Sequence, residues 1–499
     1  GRGGGSGAWV EVWGLAGPGV WSEEPVNPCQ AGRMLDDTAI SALRRALQDA
    51  DYTLDAVSER LGETGLSGLA RNSSVPTLRT LAGATDAQAE LIRFWLLGRP
   101  VAAATIRPLL GCPDALVQAG LIHANGDQWQ AAVELKPHGS QARSGWICSD
   151  QTPLDGRIVP PSEDFVLGAS PASTTLAQLV PPGHYGTVLD LGTGCGIQGL
   201  HLDADQLVAT DLNQRALDLA RISLGLSEVT ADLRLGSLYE PVAGERFDLI
   251  VTNPPYVISP PRPGRLIYRD GGFAGDDLMR EVVTGAAAHL NPGGVLVVLG
   301  NWAITDRPWD ERLAEWITPT GCDALVLQRE VLDPYEYIEL WLADAGLAGR
   351  AEYLPRYRQW LDYFADSGIT SVGLGWLVLR RAERAQPEVR FEDWPHAVHQ
   401  PVGTAFADFF AAVDDARAPE AEFWARSWRQ HPELTQETFG EPGAADPEHL
   451  VLRQGYGFGR AMEPGTALAA VVGACDGELP LAALVTAVSG LLEVGSQEL

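Results

Sequence analysis

The sequence predicts an α/β protein with a doubly wound sheet, preceded by a helical module and followed by a mixed extension. Three observations predict it. Between about residues 150 and 385, short apolar runs alternate with stretches of helical period. A glycine-rich loop, VLDLGTGCGIQGL at 188–200, leads from one such run into a helix. A later run ends in VTNPPYVISP at 251–260, where prolines fix φ, remove backbone donors and push each preceding residue out of the helical region. Asn253-Pro254-Pro255-Tyr256 is therefore a stiff, extended corner that cannot continue the strand.

In chain order, residues 1–33 begin GRGGGSG and carry no helical or strand period. Met34, followed by acidic residues and the periodic DDTAISALRRALQDA, reads as a native start with a helix cap. The leader is expected to be tag-derived or an upstream extension, and it is set aside from the fold. From 34 to 150 the pattern is mostly helical, as in ISALRRAL, LIRFWLLG and DALVQAGLI. Two alternating runs around Asn125-Gly126-Asp127 then predict a β-hairpin. Helices closed by a hairpin suggest a winged-helix-like module, serving substrate recruitment or nucleic-acid contact on one reading and dimerisation or covering on the other; the acidity of the chain favours the latter, or a protein substrate, over DNA. In the domain at 151–385 we place strands at Thr187–Asp190, Leu207–Asp211, Leu233–Leu235, Leu249–Thr252, Gly294–Gly300, Ala324–Gln328 and Val372–Arg380. A long helical stretch separates the last two. Residues 386–499 form an accessory region containing the amphipathic FADFFAAVDD and a small helical motif, DGELPLAALVTAVSGLL.

Composition bounds the function. The 499 residues, 53.4 kDa, suggest two to four domains. They carry 36 basic against 65 acidic side chains, formally −29, and Lys136 is the only lysine. Such a surface repels polyanions, which argues against sequence-independent nucleic-acid binding through a broad basic face. The cysteines at 29, 112, 148, 195, 322 and 475 form no C-x-x-C pair and have no histidine at ligand spacing. No metal and a reducing cytoplasm follow as expectations. No apolar run approaches a membrane span, and no secretory signal is legible. A homodimer is compatible with this.

The glycine loop admits two cofactors. Gly194, Gly196 and Gly199 satisfy the dinucleotide pattern G-x-G-x-x-G, and Asp211 ends the next strand where a ribose-binding acid belongs. The fuller string Asp190-Leu191-Gly192-Thr193-Gly194-Cys195-Gly196 better suits S-adenosylmethionine, whose amino-acid end needs close backbone contact and whose sulfonium is not anionic. An acid at the strand end would repel a pyrophosphate.

Over about residues 165–380 the chain resembles the class I methyltransferases that use S-adenosylmethionine. LDLGTGCG, TDLNQRALDLA, GSLYEP at 236–241 and NPPY carry the resemblance, in this order and at these spacings. It implies a Rossmann-like, seven-stranded sheet. It also implies that Asp190, Gly192, Thr193, Gly194, Gly196 and Asn253 hold the cofactor. Asp211 would bind the ribose hydroxyls, Leu212 would pack on the adenine, and Ser237 and Leu238 would border its ring. The family often has an acid where Ser237 stands; a hydroxyl still accepts from the adenine amine, less strongly.

The corner then has a chemical use. Methylating an amide or aromatic amine is hard because the nitrogen lone pair is delocalised. Two acceptors that hold its N–H groups can aim the nitrogen at the methyl donor and stabilise the developing charge. The Asn253 side-chain oxygen and the Pro254 carbonyl are the natural pair, Pro255 keeps them rigid, and Tyr256 would stack on the flat acceptor. No general base is required before transfer, because methylation makes the nitrogen acidic.

Asn-Pro-Pro-aromatic corners occur in families that methylate nucleobase amines and in those that methylate a glutamine amide of release factors. YRDGGFAGDDLMREVV at 268–283 is similar to the D-G-G segment of the latter, and HLNPGGVLVVLG to the strand after it. Those enzymes usually lack a long C-terminal region, and the link VISPPRPGRLI is short. Arg262, Arg265 and Arg269 near the corner could contact a phosphate or an acidic protein loop. The expected function is N-methylation of a macromolecule, a protein glutamine or an RNA base. The rival readings are an NAD-dependent oxidoreductase, resting on GCGIQG alone, and a non-catalytic cofactor-binding scaffold.

Overall fold

A computed structural model describes residues 34–139, 143–157, 161–261, 273–442 and 448–492. The leader, Cys29, the arginines at 262, 265 and 269, and Asp270-Gly271-Gly272 lie outside the described residues. The chain divides into two compact units, one comprising residues up to 177 together with 183–394, the other 178–182 and 395 onward.

The first unit opens with α1 (Asp37–Asp49), α2 (Leu54–Ala70), α3 (Val75–Thr80) and α4 (Ala87–Leu91). Asp36 caps α1, its Oδ1 accepting from Ala39 N at 2.8 Å, and Ile40, Leu43 and Leu47 form the buried stripe its period predicts. β1 (Val101–Ala102), α5 (Ala103–Ile106) and α6 (Pro113–Gln118) follow. Strands β2 (Ile122–Asn125) and β3 (Gln128–Ala131) form the expected hairpin, Asn125 pairing with Gln128 across Gly126-Asp127. A second hairpin joins β4 (Val133–Gly139) to β5 (Ser144–Asp150).

After α7 (Pro171–Leu179) come the strands of the main sheet. They are β6 (Tyr185–Leu191), β7 (Ala204–Asp211), β8 (Asp232–Leu235), β9 (Phe247–Thr252), β10 (Leu290–Ile304), β11 (Asp323–Leu332), β12 (Ser371–Arg380) and β13 (Val389–Asp393). Their order across the sheet is β13-β11-β12-β10-β9-β6-β7-β8, with β12 antiparallel to both neighbours and the other pairs parallel. The sheet has eight strands where seven are expected. The additional strand, β13, falls beyond residue 385 and pairs in parallel with β11. VRFED is short and half exposed, so it lacks the continuous apolar run by which the inner strands are recognised.

Helices α8 (Gln214–Leu226), α9 (Asp277–His289) and α10 (Trp309–Ile317) cross between strands, while α11 (Pro334–Asp344) and α12 (Tyr353–Asp366) fill the connection between β11 and β12. Strand β5 lies against α8. There Cys148 N donates to Ser223 Oγ at 2.9 Å and Trp146 N to Ser227 Oγ at 3.1 Å, so one apolar core runs from α1 to α8.

The second unit holds α13 (Gly403–Ala416), α14 (Glu420–Ala425), β14 (Ser427–Arg429), β15 (Leu434–Phe439), β16 (His449–Gln454), β17 (Ala461–Met462), α15 (Thr466–Ala474), β18 (Asp476–Pro480) and α16 (Leu481–Leu492). β15, β16 and β17 make a three-stranded antiparallel sheet, and β14 pairs with β18. The amphipathic FADFFAAVDD lies in α13, which buries Phe406, Phe410 and Val413.

Candidate active site

Strand order reverses between β6 and β9, the place where an open α/β sheet leaves a crevice at the carboxyl ends of its strands. The glycine loop leaves β6 there, and the Asn-Pro-Pro corner leaves β9 beside it. Thr252 Oγ1 ties the two ends together, donating to Leu191 O at 2.7 Å. Between them lies a cavity lined by residues 190–195, by Asp211 and Leu212 from the end of β7, by Ser237 and Leu238, and by Asn253, Pro254 and Pro255.

The loop turns at once after the strand. Gly192 N and Thr193 N both donate to Thr210 O at 2.9 Å. Gly192 and Gly194 have φ of +76° and +56°, and a Cβ on either would meet no atom within 4 Å. The loop backbone is therefore open toward the cavity, as close approach to a ligand requires. Asp190, 2% exposed, accepts from Thr193 Oγ1 at 2.5 Å. Burial pushes its carboxyl up to about 7, opposed by the Thr193 hydrogen bond and reinforced by the charge of Asp211. Asp211 binds the loop from the next strand, Oδ2 accepting from Gly194 N at 2.9 Å and Oδ1 from Asn213 N at 2.8 Å. Burial raises its pKa as well, and these backbone donors oppose the rise. Two N–H bonds leave a carboxylate with acceptor capacity for a ligand hydroxyl.

On the corner side, Asn253 Oδ1 is buried and has no hydrogen-bond partner among the described residues. An acceptor left unpaired in a ligand-sized crevice calls for a donor from a bound molecule. Leu238 holds φ +46°, uncommon for a residue other than glycine, at the wall where adenine contact is expected.

Two expected residues stand elsewhere. Gly196 does not line the cavity; its φ is +80°, and a Cβ there would come within 3.2 Å of Ala220 and Leu224 of α8, so it serves loop-to-helix packing. Tyr256 is 6% exposed and packs in the core with Leu189, Ile250 and Trp302, off the cavity. The stacking expected of it is not available in this geometry, because the corner turns its ring into the apolar interior. The lining instead supplies Phe165 and Phe273.

Sequence reading missed the wall at 165–168, as well as Gln198, Asn213 and Leu278. Asn213 had a legible signal, the N-cap position before the helical run: its Oδ1 accepts from Arg215 N at 3.0 Å, while Nδ2 donates to Asp164 O at 2.9 Å. The wall at 165–168 comes from a loop without periodicity, Gln198 from a single 3₁₀ turn after the glycine loop and Leu278 from the first turn of α9, whose helical period does not say that it faces a cavity.

An open glycine loop, a buried and a half-buried acid on two adjacent strand ends and an unpaired amide oxygen fit an S-adenosylmethionine amino-acid end, ribose and methyl acceptor. The sheet and its crevice are thus arranged as the resemblance to class I S-adenosylmethionine-dependent methyltransferases implies. Residues 168–313 match the family described as methyltransferase small domain, and residues 49–132 match a domain of unknown function, DUF7059. A release factor glutamine methyltransferase of Xylella fastidiosa is 38% identical over 26% of this chain and 48% of its own length. The ribosomal protein uL3 glutamine methyltransferase of Bradyrhizobium diazoefficiens is 36% identical over 26% of this chain and 46% of its own. The ribosomal RNA small subunit methyltransferase C of Erwinia tasmaniensis is 29% identical over 27% and 36%. The chain spans about half the length, or less, of these curated relatives.

Proposed function

We propose that this protein transfers a methyl group from S-adenosylmethionine to a planar amide or amino nitrogen of a macromolecule in the cytoplasm, with a protein glutamine preferred over an RNA base. The observation that carries the reading is the buried, unpaired Oδ1 of Asn253 in a cavity shared with the glycine loop. The relatives at 36–38% identity bear glutamine-methyltransferase names, which supports an amide acceptor, and the −29 formal charge disfavours broad association with RNA. Among the described residues no helix is long and apolar enough to cross a membrane.

Asp190, Gly192, Thr193 and Gly194 would hold the amino-acid end of the cofactor, Asp211 its ribose, and Leu212, Ser237 and Leu238 its base. When bound, the cofactor supplies a methyl group on a sulfonium, which leaves as a neutral thioether. Asn253 Oδ1 and the Pro254 carbonyl accept the acceptor's N–H groups, hold the nitrogen in line and favour the charge that develops on it. Phe165 and Phe273 offer faces for a flat group. The new C–N bond makes the nitrogen acidic, and its proton leaves afterwards.

The test is methyl transfer from radiolabelled S-adenosylmethionine into an extract of cells lacking this protein, followed by protease or ribonuclease. Label released by protease is expected; label released only by ribonuclease would move the acceptor to RNA. Asn253→Ala is expected to bind S-adenosylhomocysteine almost as the parent does while turnover falls by about two orders of magnitude or more, because the lost bond matters chiefly in the transition state. Unchanged turnover in that variant contradicts the assignment.

A further inference from the structure

Strands β11 and β12 are antiparallel neighbours, which a short turn could join, yet 38 residues intervene between Leu332 and Ser371. The two helices in that connection are tied to the active-site corner. Ile258, two residues beyond Tyr256, is fully buried, and both of its backbone groups are bound by side chains of the insertion. Its N–H donates to Tyr337 Oη of α11 at 2.9 Å, and its carbonyl accepts from Trp360 Nε1 of α12 at 2.8 Å. Tyr337 Oη also accepts from Asn301 Nδ2 of β10 at 2.8 Å. Tyr337 is 0% and Trp360 5% exposed, in one apolar cluster with Val257 and Ile258. Further along, Gly275 N donates to Tyr363 Oη of α12 at 2.9 Å, two residues after Phe273 of the cavity wall.

We propose that Tyr337 and Trp360 are positioning residues for methyl transfer: the helical insertion clamps the exit of the Asn-Pro-Pro corner and so fixes Asn253 against the acceptor. A buried peptide whose two polar groups have no strand partner must find others. Here they are stiff aromatic side chains reached from a separate element, so the corner's direction is set by the insertion as well as by its prolines. This rests on the N-methyltransferase reading for its catalytic consequence, while the clamp itself stands on the hydrogen bonds.

The test compares Tyr337→Phe and Trp360→Phe with Ile338→Val, which trims the same apolar cluster without touching a hydrogen bond. Tyr337→Phe and Trp360→Phe are expected to lower kcat about 10- to 100-fold, the size of effect that misplacing a reacting group produces. KM for S-adenosylmethionine and affinity for S-adenosylhomocysteine should stay within about twofold, because the glycine loop is not touched by the clamp. Ile338→Val should retain parental kcat. Parental kcat in the two clamp variants, or equal loss in all three, overturns the proposal. Should the parent protein transfer no methyl group at all, the function proposed above fails, and hydrogen exchange then decides the clamp separately. Faster exchange across residues 253–259 in Tyr337→Phe than in Ile338→Val sustains the clamp; equal exchange refutes it.

Discussion

Glycines of the same loop carry different duties, and substitution should separate them. Gly194→Ala places a methyl group in open space at φ +56°, so it should cost about 1 kcal/mol of stability yet weaken S-adenosylhomocysteine binding by filling the ligand's approach. Gly196→Ala meets α8 at 3.2 Å and should cost about 1–3 kcal/mol, with a lowered Tm as the main effect. Calorimetry and ligand titration of both variants check the contrast. Asp190 gives a pH prediction. Its ordinary value of 3.8 is raised to about 7 in the folded protein, so the folded state holds the extra proton between those values. Stability of the ligand-free protein should therefore fall as pH rises through that window and level off above it. A ligand ammonium placed against this carboxyl prefers the ionised form, so S-adenosylhomocysteine affinity should rise about tenfold from pH 6 to 8. Asp190→Asn should flatten that titration; an unaltered profile would assign the dependence to another group. The acid, the glycines at 192 and 194 and Asn253 were legible in sequence because a strand end followed by glycine or proline leaves few conformations. The direction of the Tyr256 ring was not, since it follows from which side of the corner holds the apolar interior.

At the scale of elements, a mostly buried ion pair anchors the start of α9. Asp276 precedes the helix and is 5% exposed; its Oδ1 accepts from Arg312 Nη2 of α10 at 2.5 Å, and its Oδ2 accepts from Ala303 N at 2.8 Å and Arg312 Nη1 at 2.6 Å. The bidentate fork joins α9, α10 and β10, and α9 carries Leu278 into the cavity wall. Arg312→Ala leaves a mostly buried carboxylate without its cation and should cost about 2–4 kcal/mol, read as a lowered urea midpoint. Recovery of the midpoint in Arg312→Ala/Asp276→Asn would support the electrostatic cause, whereas further loss would point to packing. The inner strands of the sheet were readable because burial on both faces makes them nearly continuous apolar runs. β13 escaped that reading because an edge strand is half exposed. The role of α11 and α12 was equally hidden, because a helical period announces an apolar stripe and says nothing of the distant backbone its Tyr and Trp tips will bind.

Across the molecule, the amino-terminal helices and hairpins share a core with α8 and with the glycine loop after β6. Arg44 pairs with Glu228 at 2.9 Å and Arg221 with Asp37 at 2.8 Å at the surface, while Ser223, fully buried in α8, takes the backbone N–H of Cys148. Surface pairs of this kind contribute little; the shared apolar face of α8 contributes most. A chain beginning at residue 151 would expose Leu219, Ile222 and Leu226 of that face, and it should aggregate or lose its cooperative unfolding transition, unlike the intact chain. A soluble fragment with parental S-adenosylhomocysteine affinity would show that the module is separable. The sequence by itself determined the sheet, the cofactor loop, the acidic strand ends and the corner, since each depends on periodicity or on residues that restrict their own backbone. Only the tertiary structure decided which glycines face the cavity, where the tyrosine ring goes, which helices bind the backbone beyond the corner and that the first module is fused to α8. Those are matters of long-range packing, set by surfaces far apart in the chain.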